Sequence, residues 1–250
     1  MIETLKKMIA IPSESGKEAD IAAFLMQRLQ EHNPVLVKNN VVVRCGSGSP
    51  KVMVNAHIDT VPASDSWSID PYTPVEKEGR LYGLGSCDDK GAVAALLGTI
   101  ERIQDADIGG TVYFTFTAEE ETSGIDGIRE VLEAYGPFDA AIIAEPTEGG
   151  FCSSMRGIGY IHVEVQGESA HASYGGVNAI QRAGKIITDL AVLDGITPTI
   201  ITGGTKNNMV PDVCSITLDV RMDPGMNYAD LLKRVHHILG THGTAHPKEH

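Results

Sequence analysis

The sequence has few of the features that mark several large classes of protein. Its four cysteines, Cys45, Cys87, Cys152 and Cys214, show no C-x-x-C spacing, which argues against a disulfide framework and a thiolate metal site. Only 20 Lys and Arg residues stand against 33 Asp and Glu, and the net charge of -13 argues against nucleic acid or an anionic membrane as partner. No apolar run approaches the ~20 residues of a membrane span, and the first residues, MIETLKKMIAIPS, lack the apolar centre of a signal peptide. We therefore expect an acidic, globular, cytoplasmic protein.

The first part of the chain alternates strand patterns with helix patterns. This order predicts an α/β fold in which helices flank a mostly parallel sheet. The stretch VLVKNNVVVRCG predicts two strands around a turn at Asn39–Asn40, and the stretches KVMVNA, TVYFTFT and DAAII predict buried strands. One helix is predicted after a capping box formed by Ser15 and Glu18, and another begins near Lys90.

The pattern changes near residue 155. GYIHVEVQG and VCSITLDVR alternate apolar and polar residues, as strands with one solvated face do, and two amphipathic helices follow them in turn. The order β-α-β-β-α is one strand short of a ferredoxin-like unit. We therefore predict one domain over residues 1–155 and a second, α+β domain over residues 156–250.

Acidic residues and one histidine follow four predicted segments of the first domain. His57 and Asp59 follow one strand, and the others are Asp88 and Asp89, Glu119–Glu121 and Glu145. Open α/β sheets bind ligands at the strand ends, so these groups are expected to meet there. Carboxylates brought this close repel one another unless protons or a cation lie between them. The pattern favours a zinc site, with Asp59 orienting the His57 ring from outside the ligand set.

Each of these motifs has an ordinary alternative interpretation. An H-x-D sequence is commonly a loop histidine with a hydrogen-bond partner. The DDK sequence is typical of a solvated helix start, and a run of three glutamates is usually a solvated charged surface. The occurrence of all of them after predicted strands, in this order, favours the metal site.

The motifs HIDTVP, YGLGSCDDKGAVAALL, TAEEETSG and IIAEPT resemble those of a di-zinc deacylase and exopeptidase family that includes acetylornithine deacetylase, succinyl-diaminopimelate desuccinylase and glutamate carboxypeptidase. The similarity covers residues 1 to about 240. It implies one zinc ion held by His57, Asp88 and Glu145, and a second shared by Asp88 with Glu121. Glu120 matches the general base of the family, which makes Glu119 the non-catalytic member of the triplet.

The resemblance extends into the second domain, which would be a lid inserted in the catalytic domain. His171, in GESAHASYGG, matches a histidine that reaches the neighbouring subunit's active site in dimeric relatives and stabilises the oxyanion. Asn208 and Arg221 match lid contacts to the substrate. The alternatives are a surface histidine beside a turn, and an arginine paired with Asp219 or Asp223. The resemblance thus implies a homodimer formed through the lid.

The function implied by the resemblance is hydrolysis of the amide bond of an N-acyl amino acid or small peptide. Metal ions would activate the attacking water, Glu120 would move its proton to the leaving amine, and His171 would donate to the oxyanion. Imidazole and carboxylate ligands also accept manganese and cobalt. The rival hypothesis is a non-catalytic, metal-binding paralogue or fragment.

The last residues, GTHGTAHPKEH, depart from the family pattern. Members of the family continue with a final lid strand, further strands of the first domain, a glycine-rich loop and a histidine ligand of the second zinc. Three interpretations follow: a shortened chain, a degenerate paralogue, or replacement of the ligand by His242, His246 or His250. On this basis we expect one tightly bound zinc ion, a weakly bound second ion, and an unpaired edge in the lid sheet.

Overall fold

Two units make up the chain in the computed structural model, the first ending at Phe151 and the second beginning at Cys152. The structure describes residues 1–103, 106 and 108–247. The functional roles given to residues 1–155 and 156–250 by the sequence remain predictions. Among the described residues, no helix is both long enough and apolar enough to cross a membrane.

The first unit contains four helices and seven strands among its described residues. The helices are α1 (Ile2–Ile9), α2 (Ala19–Arg28), α3 (Lys90–Ile103) and α4 (Ile128–Tyr135). The strands are β1 (Val35–Val37), β2 (Asn40–Gly46), β3 (Lys51–His57), β4 (Val75–Lys77), β5 (Arg80–Tyr82), β6 (Thr111–Thr117) and β7 (Ala140–Ile143). The strands β4 and β5 form a separate hairpin.

The five-stranded sheet of this unit has the order β1-β2-β6-β3-β7. The strands β6, β3 and β7 are parallel, whereas β1 and β2 join antiparallel. The predicted α/β class is confirmed, but the sheet is mixed rather than mostly parallel because the first two strands form a hairpin. The parallel strands place the carboxyl ends of β3, β6 and β7 at one edge of the sheet.

Helices cover both faces of this sheet. On one face, α1, α2 and α3 enclose the main apolar core, to which β6 contributes Phe114 and Phe116. On the other face, α4 packs its Val131 against Val42 and Tyr113. Successive side chains of β6 therefore enter opposite layers, as the twofold period of a strand requires. In α3, residues Val93, Leu96, Leu97 and Ile100 are buried at helical spacing and form its core-facing side.

Two local predictions in this unit were wrong. The first hairpin turns at Lys38–Asn39 rather than Asn39–Asn40, because Val37 pairs with Asn40 and Lys38 adopts the left-handed conformation at φ 55°. All four residues of β7 are exposed, with Ile142 at 56% and Ile143 at 52%. An apolar run identifies a strand but not the neighbours that cover it, and β7 is an edge strand of the described sheet.

The second unit has six strands and two helices among its described residues. They are β8 (Gly157–Gln166), β9 (Ala170–His171), α5 (Ala179–Leu190), β10 (Ile196–Gly203), β11 (Met209–Val210), β12 (Val213–Met222), α6 (Tyr228–Leu239) and β13 (Gly243–Pro247). The antiparallel sheet has the order β10-β12-β8-β13 and packs against α5 and α6. Without the short pair β9 and β11, the element order is the βαββαβ order of ferredoxin-like units.

The expectation that the final strand of this sheet is missing was wrong. Residues Gly243–Pro247 form β13 and pair with β8, so that His246 lies opposite His162. Only Ala245 of this strand is buried, and one buried residue among polar ones does not produce a recognisable strand pattern. Of the three tail histidines, His242 precedes β13, His246 lies in it, and His250 is outside the described residues.

Candidate metal centre

The predicted ligands of the first unit lie where its parallel strands end. His57 is the last residue of β3 and pairs in register with Thr117, the last residue of β6. The Glu119–Glu121 triplet begins two residues after the end of β6, and Glu145 lies two residues after the end of β7. Asp88 lies just before α3. One sheet edge therefore carries the imidazole and several carboxylates.

Three of these side chains come together as a possible metal-binding group: His57, Asp88 and Glu121. One ligand atom from each residue lies within 4.8 Å of the others. The Nε2 atom of His57 is 2.8 Å from Oδ1 of Asp88. The His57 side chain is buried, whereas about half of the Asp88 side chain is exposed. The group therefore has a rigid inner ligand and an outer side open to an incoming ion or molecule.

The second ring nitrogen of His57 is held by backbone. Its Nδ1 atom lies 3.1 Å from the carbonyl oxygen of Asp59 and 3.4 Å from Oδ1 of the same residue. A carbonyl oxygen can only accept, so Nδ1 carries a proton and donates it. In the neutral ring, this tautomer directs the lone pair of Nε2 toward Asp88, which is the arrangement of a histidine that binds metal through Nε2.

Asp59 is completely buried and connects three segments of the chain. Its Oδ1 accepts from the backbone N–H of Glu120 at 3.1 Å, and its Oδ2 accepts from that of Glu121 at 3.1 Å. The Ser15 hydroxyl also donates to Oδ2, at 2.7 Å. Burial would raise the pKa of Asp59, but hydrogen bonds from His57, Ser15 and these two amides outweigh burial and hold the pKa below its ordinary value.

The crowded negative charge shifts the pKa values of the neighbouring groups. Burial favours neutral His57, but hydrogen bonds to Asp59 and Asp88 outweigh burial and raise the pKa of His57 to about 10. Loss of hydration, followed by repulsion from Asp88, raises the pKa of Glu121. Loss of hydration also raises the pKa of Glu145, with further repulsion from Glu120, Asp88 and Glu121. The site therefore favours positive charge.

Asp89 adds a buried carboxylate beside the cluster. The two aspartates are joined by a cis peptide bond, and Asp89 accepts from the backbone N–H of His57 at 3.1 Å. Its other oxygen, Oδ1, is buried without a hydrogen-bond partner among the described residues. Burial raises the pKa of Asp89 to about 8, and repulsion from Glu145 and Asp88 adds to it. Sequence patterns place Asp89 in the acidic cluster without indicating a specific role for it in the site.

These features fit a divalent cation. The donor set combines one imidazole whose Nε2 faces the cluster with carboxylates whose mutual repulsion a cation would relieve. Such nitrogen and oxygen donors suit zinc and also cobalt or manganese. Glu145 is outside the group of three that converges, although its charge acts on His57, Asp88 and Glu121.

Glu120 lies on the open side of the cluster. Its side chain is exposed, while its backbone N–H is fixed by Asp59. A cavity of about 330 Å³ adjoins it, with lining that includes Asn55, Ile143 and Glu145. Glu119 differs from Glu120, because its Oε2 accepts from the backbone N–H of Asp126 at 3.2 Å within the following turn.

The predicted site residues of the second unit lie in two places, at the separate β9–β11 pair and on β12 of the four-stranded sheet. His171 and Asn208 are neighbours, since Met209 of β11 pairs with His171 of β9 and Ala172 N donates to the Asn208 carbonyl at 2.9 Å. His171 is exposed, and its Nδ1 accepts from the backbone N–H of Ser173 at 3.2 Å. Arg221 lies eight residues along β12 from Val213, about 26 Å at roughly 3.3 Å per residue.

Arg221 forms a two-point ion pair with Asp219. Its Nε and Nη2 atoms donate to the two carboxylate oxygens at 2.8 and 3.1 Å. Asp219 raises the pKa of Arg221 further above its ordinary value. Asp223, the other partner considered from the sequence, pairs instead with Arg156 at 2.6 Å.

Sequence reasoning also missed the contribution of the segment before α2. Ser15 and Glu18 do not form the predicted capping box, because Ser15 binds Asp59 and α2 has no side-chain cap at Glu18. Glu18 is buried and accepts from Gly16 N, Asn39 Nδ2 and Glu119 N. Both side chains thus point to the loops of the metal centre. A Ser-x-x-Glu spacing does not distinguish these two outcomes.

Comparison with known proteins places this geometry in context. The sequence model of peptidase family M20/M25/M40 matches residues 53–238. An acetylornithine deacetylase from Proteus mirabilis is 32% identical, over 95% of this chain and 71% of its own length. A tripeptidase from Staphylococcus aureus has a similar fold, with a TM-score of 0.76 and 24% identity over 99% of this chain and 74% of its own. A dinuclear metal-binding peptidase from Bacillus subtilis has a TM-score of 0.75 and 20% identity, over 99% of this chain and 72% of its own.

Proposed function

Because this chain belongs to peptidase family M20/M25/M40, a family of metal-dependent hydrolases, we propose that it hydrolyses the amide bond of N-acyl amino acids or small peptides. The observation that carries the proposal is the convergence of His57, Asp88 and Glu121 within 4.8 Å at the edge of the sheet. The P. mirabilis relative is a deacetylase and the S. aureus neighbour a tripeptidase, so acyl and peptidyl substrates both remain within the proposal.

The proposed metal is zinc, with up to two ions. His57, Asp88 and Glu145 would hold one ion, and Asp88 with Glu121 would hold the second. Bound divalent ions would supply Lewis-acid activation of water and of the scissile carbonyl. Asp59 supports this assignment from outside the ligand set, because it binds Nδ1 of His57 and so directs Nε2 toward the carboxylate cluster.

Glu120 is proposed as the general base. Its carboxylate is exposed, while hydrogen bonds hold its own backbone N–H and those of Glu119 and Glu121. The carboxylate can therefore take a proton from an attacking water and give it to the leaving amine. Glu119 is less suited to this role, because its carboxylate already accepts from Asp126 N.

The second unit is proposed to contact the substrate. Because Ser173 N–H donates to Nδ1 of His171, the neutral His171 ring carries its proton on Nε2, where it can donate to an oxyanion. Asn208 lies beside it and would bind the same part of the substrate. Arg221 has a planar guanidinium group suited to binding a substrate carboxylate. The substrate carboxylate would compete with Asp219 for this guanidinium.

The separation within the second unit supports the proposed homodimer. His171 and Asn208 lie at the end of β12 near Val213, and Arg221 lies about 26 Å from that end at roughly 3.3 Å per residue. A small acyl amino acid cannot span this distance. In a dimer formed through the second unit, the two ends would serve two different active sites. The cytoplasmic location predicted from the sequence remains a prediction.

The Glu120→Gln variant tests the proposal, with Glu119→Gln as its matched control. Amide bond cleavage would be measured on a panel of N-acetyl and N-succinyl amino acids and dipeptides with added zinc. We expect Glu120→Gln to lower kcat by roughly 10²- to 10⁴-fold, since general acid–base catalysis contributes that much. Glu119→Gln keeps an oxygen that can accept from Asp126 N, so we expect activity close to wild type.

The same assay separates this proposal from the rival, a non-catalytic metal-binding paralogue. Equal turnover by the wild type and the Glu120→Gln variant would remove Glu120 as the base. Loss of activity in Glu119→Gln alone would shift the assignment by one residue. Binding of zinc by the wild type, with no cleavage of any substrate in the panel, would favour the rival.

A further inference from the structure

The loop after β6 begins with the triplet Glu119–Glu121 and is called the glutamate loop here. The three consecutive backbone amides of this triplet donate to buried carboxylates from elsewhere in the chain. The N–H of Glu119 donates to Oε1 of Glu18 at 3.2 Å. Those of Glu120 and Glu121 donate to Oδ1 and Oδ2 of Asp59, each at 3.1 Å. The strand β6 ends at Thr117, so these residues lie beyond the sheet ladder that holds the strand. Beyond the end of β6, hydrogen bonds to these two carboxylates hold the backbone in place of strand pairing.

Both carboxylates are inaccessible to water. Glu18 is 1% exposed and Asp59 is 0% exposed. A buried carboxylate needs several donors to compensate for lost hydration, and hydrogen bonds to a charged acceptor are stronger than neutral ones. The arrangement therefore resists displacement of the loop, because moving any of the three amides would leave a buried oxygen short of a donor.

The segment Ser13–Glu18 provides further donors to the same two carboxylates. Ser15 Oγ donates to Oδ2 of Asp59 at 2.7 Å, and Gly16 N donates to Oε1 of Glu18 at 2.6 Å. The segment is also attached to the loop after β3, since Ser13 Oγ donates to the Ile58 carbonyl at 2.8 Å and Thr60 N donates to the Ser13 carbonyl at 2.9 Å. It thus joins the His57 loop to the glutamate loop.

We infer that Ser15 and Glu18 are positioning residues, which set the direction of the Glu120 and Glu121 side chains through the backbone of the glutamate loop. This inference rests on the proposed function for its catalytic consequence. Ser15 acts through Asp59 on the amides of Glu120 and Glu121, and Glu18 acts directly on the amide of Glu119. Neither residue belongs to the converging group of possible metal ligands.

The experiment uses Ser15→Ala and Glu18→Gln, with Glu14→Gln as the matched control. Glu14 lies in the same segment, but its carboxylate pairs with Lys17 at 2.6 Å and makes no hydrogen bond to the glutamate loop among the described residues. We expect each positioning variant to lower kcat by roughly 10- to 100-fold with little change in KM, because a small misplacement of a reacting group has this effect. Glu14→Gln should match the wild type, and Ser15→Thr, which keeps the hydroxyl, should restore most of the rate lost in Ser15→Ala.

A second readout does not depend on catalysis. Cobalt titration followed by absorption would report binding at the site, where we expect Ser15→Ala and Glu18→Gln to weaken at least one binding phase about tenfold, since partners of metal ligands contribute 10- to 100-fold. If the wild type cleaves no substrate, the proposed function fails, and this titration still tests the inference. Variants that lose thermal stability but keep the wild-type cobalt affinity and kcat would overturn it.

Hydrogen exchange on the wild-type protein covers the case in which the variants do not fold. The amides of residues 119–121 should exchange far more slowly than the exposed amides of the loop that follows. Exchange of these three amides as fast as that of an unstructured peptide would overturn the inference without any substitution.

Discussion

Asp59 combines two tasks in one buried residue. Its backbone carbonyl fixes the tautomer of His57, and its carboxylate holds the amides of Glu120 and Glu121. A carboxylate is well suited to this because each oxygen accepts more than one hydrogen bond. An amide of the same shape would present an NH₂ group to one of the two backbone N–H groups, which places donor against donor.

The Asp59→Asn variant should therefore bind metal more weakly while remaining folded. We expect zinc affinity to fall by roughly 10- to 100-fold, the usual cost of losing a partner of a metal ligand. Competition with a chromophoric chelator would measure this affinity. Asp65→Asn is the control, because Asp65 is exposed and lies outside the converging group. Equal affinity in Asp59→Asn and Asp65→Asn would show that the carboxylate of Asp59 does not support the site.

At this scale, the sequence predicts which residues meet but not how they are held. His57, Asp88 and Glu121 could be placed together because each follows or precedes a recognisable element at one sheet edge. The partners of Ser15 and Glu18 could not, since they lie 44 and 101 residues away along the chain. A hydrogen bond between distant segments leaves no local pattern in the sequence.

At the scale of elements, Lys90 connects the first helix to the metal centre. It is the first residue of α3 and is 1% exposed. Its Nζ donates to the carbonyls of Met8 at 3.0 Å and Ile11 at 2.9 Å, at and just beyond the end of α1. Burial lowers the pKa of Lys90 to about 8. The ammonium thus adds a charged donor to the Met8 carbonyl, which also accepts from Ile11 N, and to the Ile11 carbonyl beyond the helix end.

The Lys90→Met variant should be less stable than the wild type. Methionine fills a similar volume but donates no hydrogen bond, so two carbonyls at the end of α1 lose a charged donor. We expect the free energy of unfolding in urea to fall by about 1–3 kcal/mol, the usual contribution of hydrogen bonds from a charged group. Lys7→Met, on the exposed side of α1, is the matched control and should change stability little. A Lys90→Met protein as stable as the control would show that relief of the buried charge offsets the lost hydrogen bonds.

Periodicity predicted the elements well where a buried face was long, and poorly where it was short. The helix α3 was recognisable from its four buried apolar positions, and β12 from alternation that buries Cys214, Ile216, Leu218 and Val220. The strand β13 buries only Ala245 and did not follow from the pattern, whereas β7 was recognisable as a strand but buries no residue, so its environment did not follow from the pattern. These elements depend on pairing with a neighbouring strand, and the pattern within a segment does not indicate which strand lies beside it.

At the scale of the whole molecule, the second unit has an exposed strand edge. The strand β10 lies at the edge of its sheet and pairs on one side only, with β12. Ile201 pairs with the buried Ile216 and therefore faces the helices, yet it is 51% exposed. Ile180 of α5 is 42% exposed, and its side chain approaches Gly203 of the same strand. An unpaired edge with apolar side chains favours association with another strand.

The Ile201→Lys variant tests whether this edge forms the proposed homodimer. A lysine on an edge strand opposes pairing with a second strand, because its charge would lose hydration in the interface. We expect sedimentation equilibrium to give a dimer for the wild type and a monomer for Ile201→Lys, at equal protein concentration. Val192→Lys is the control, since Val192 is 74% exposed but lies outside the strand, and it should remain dimeric. A dimer that persists in Ile201→Lys would place the interface elsewhere.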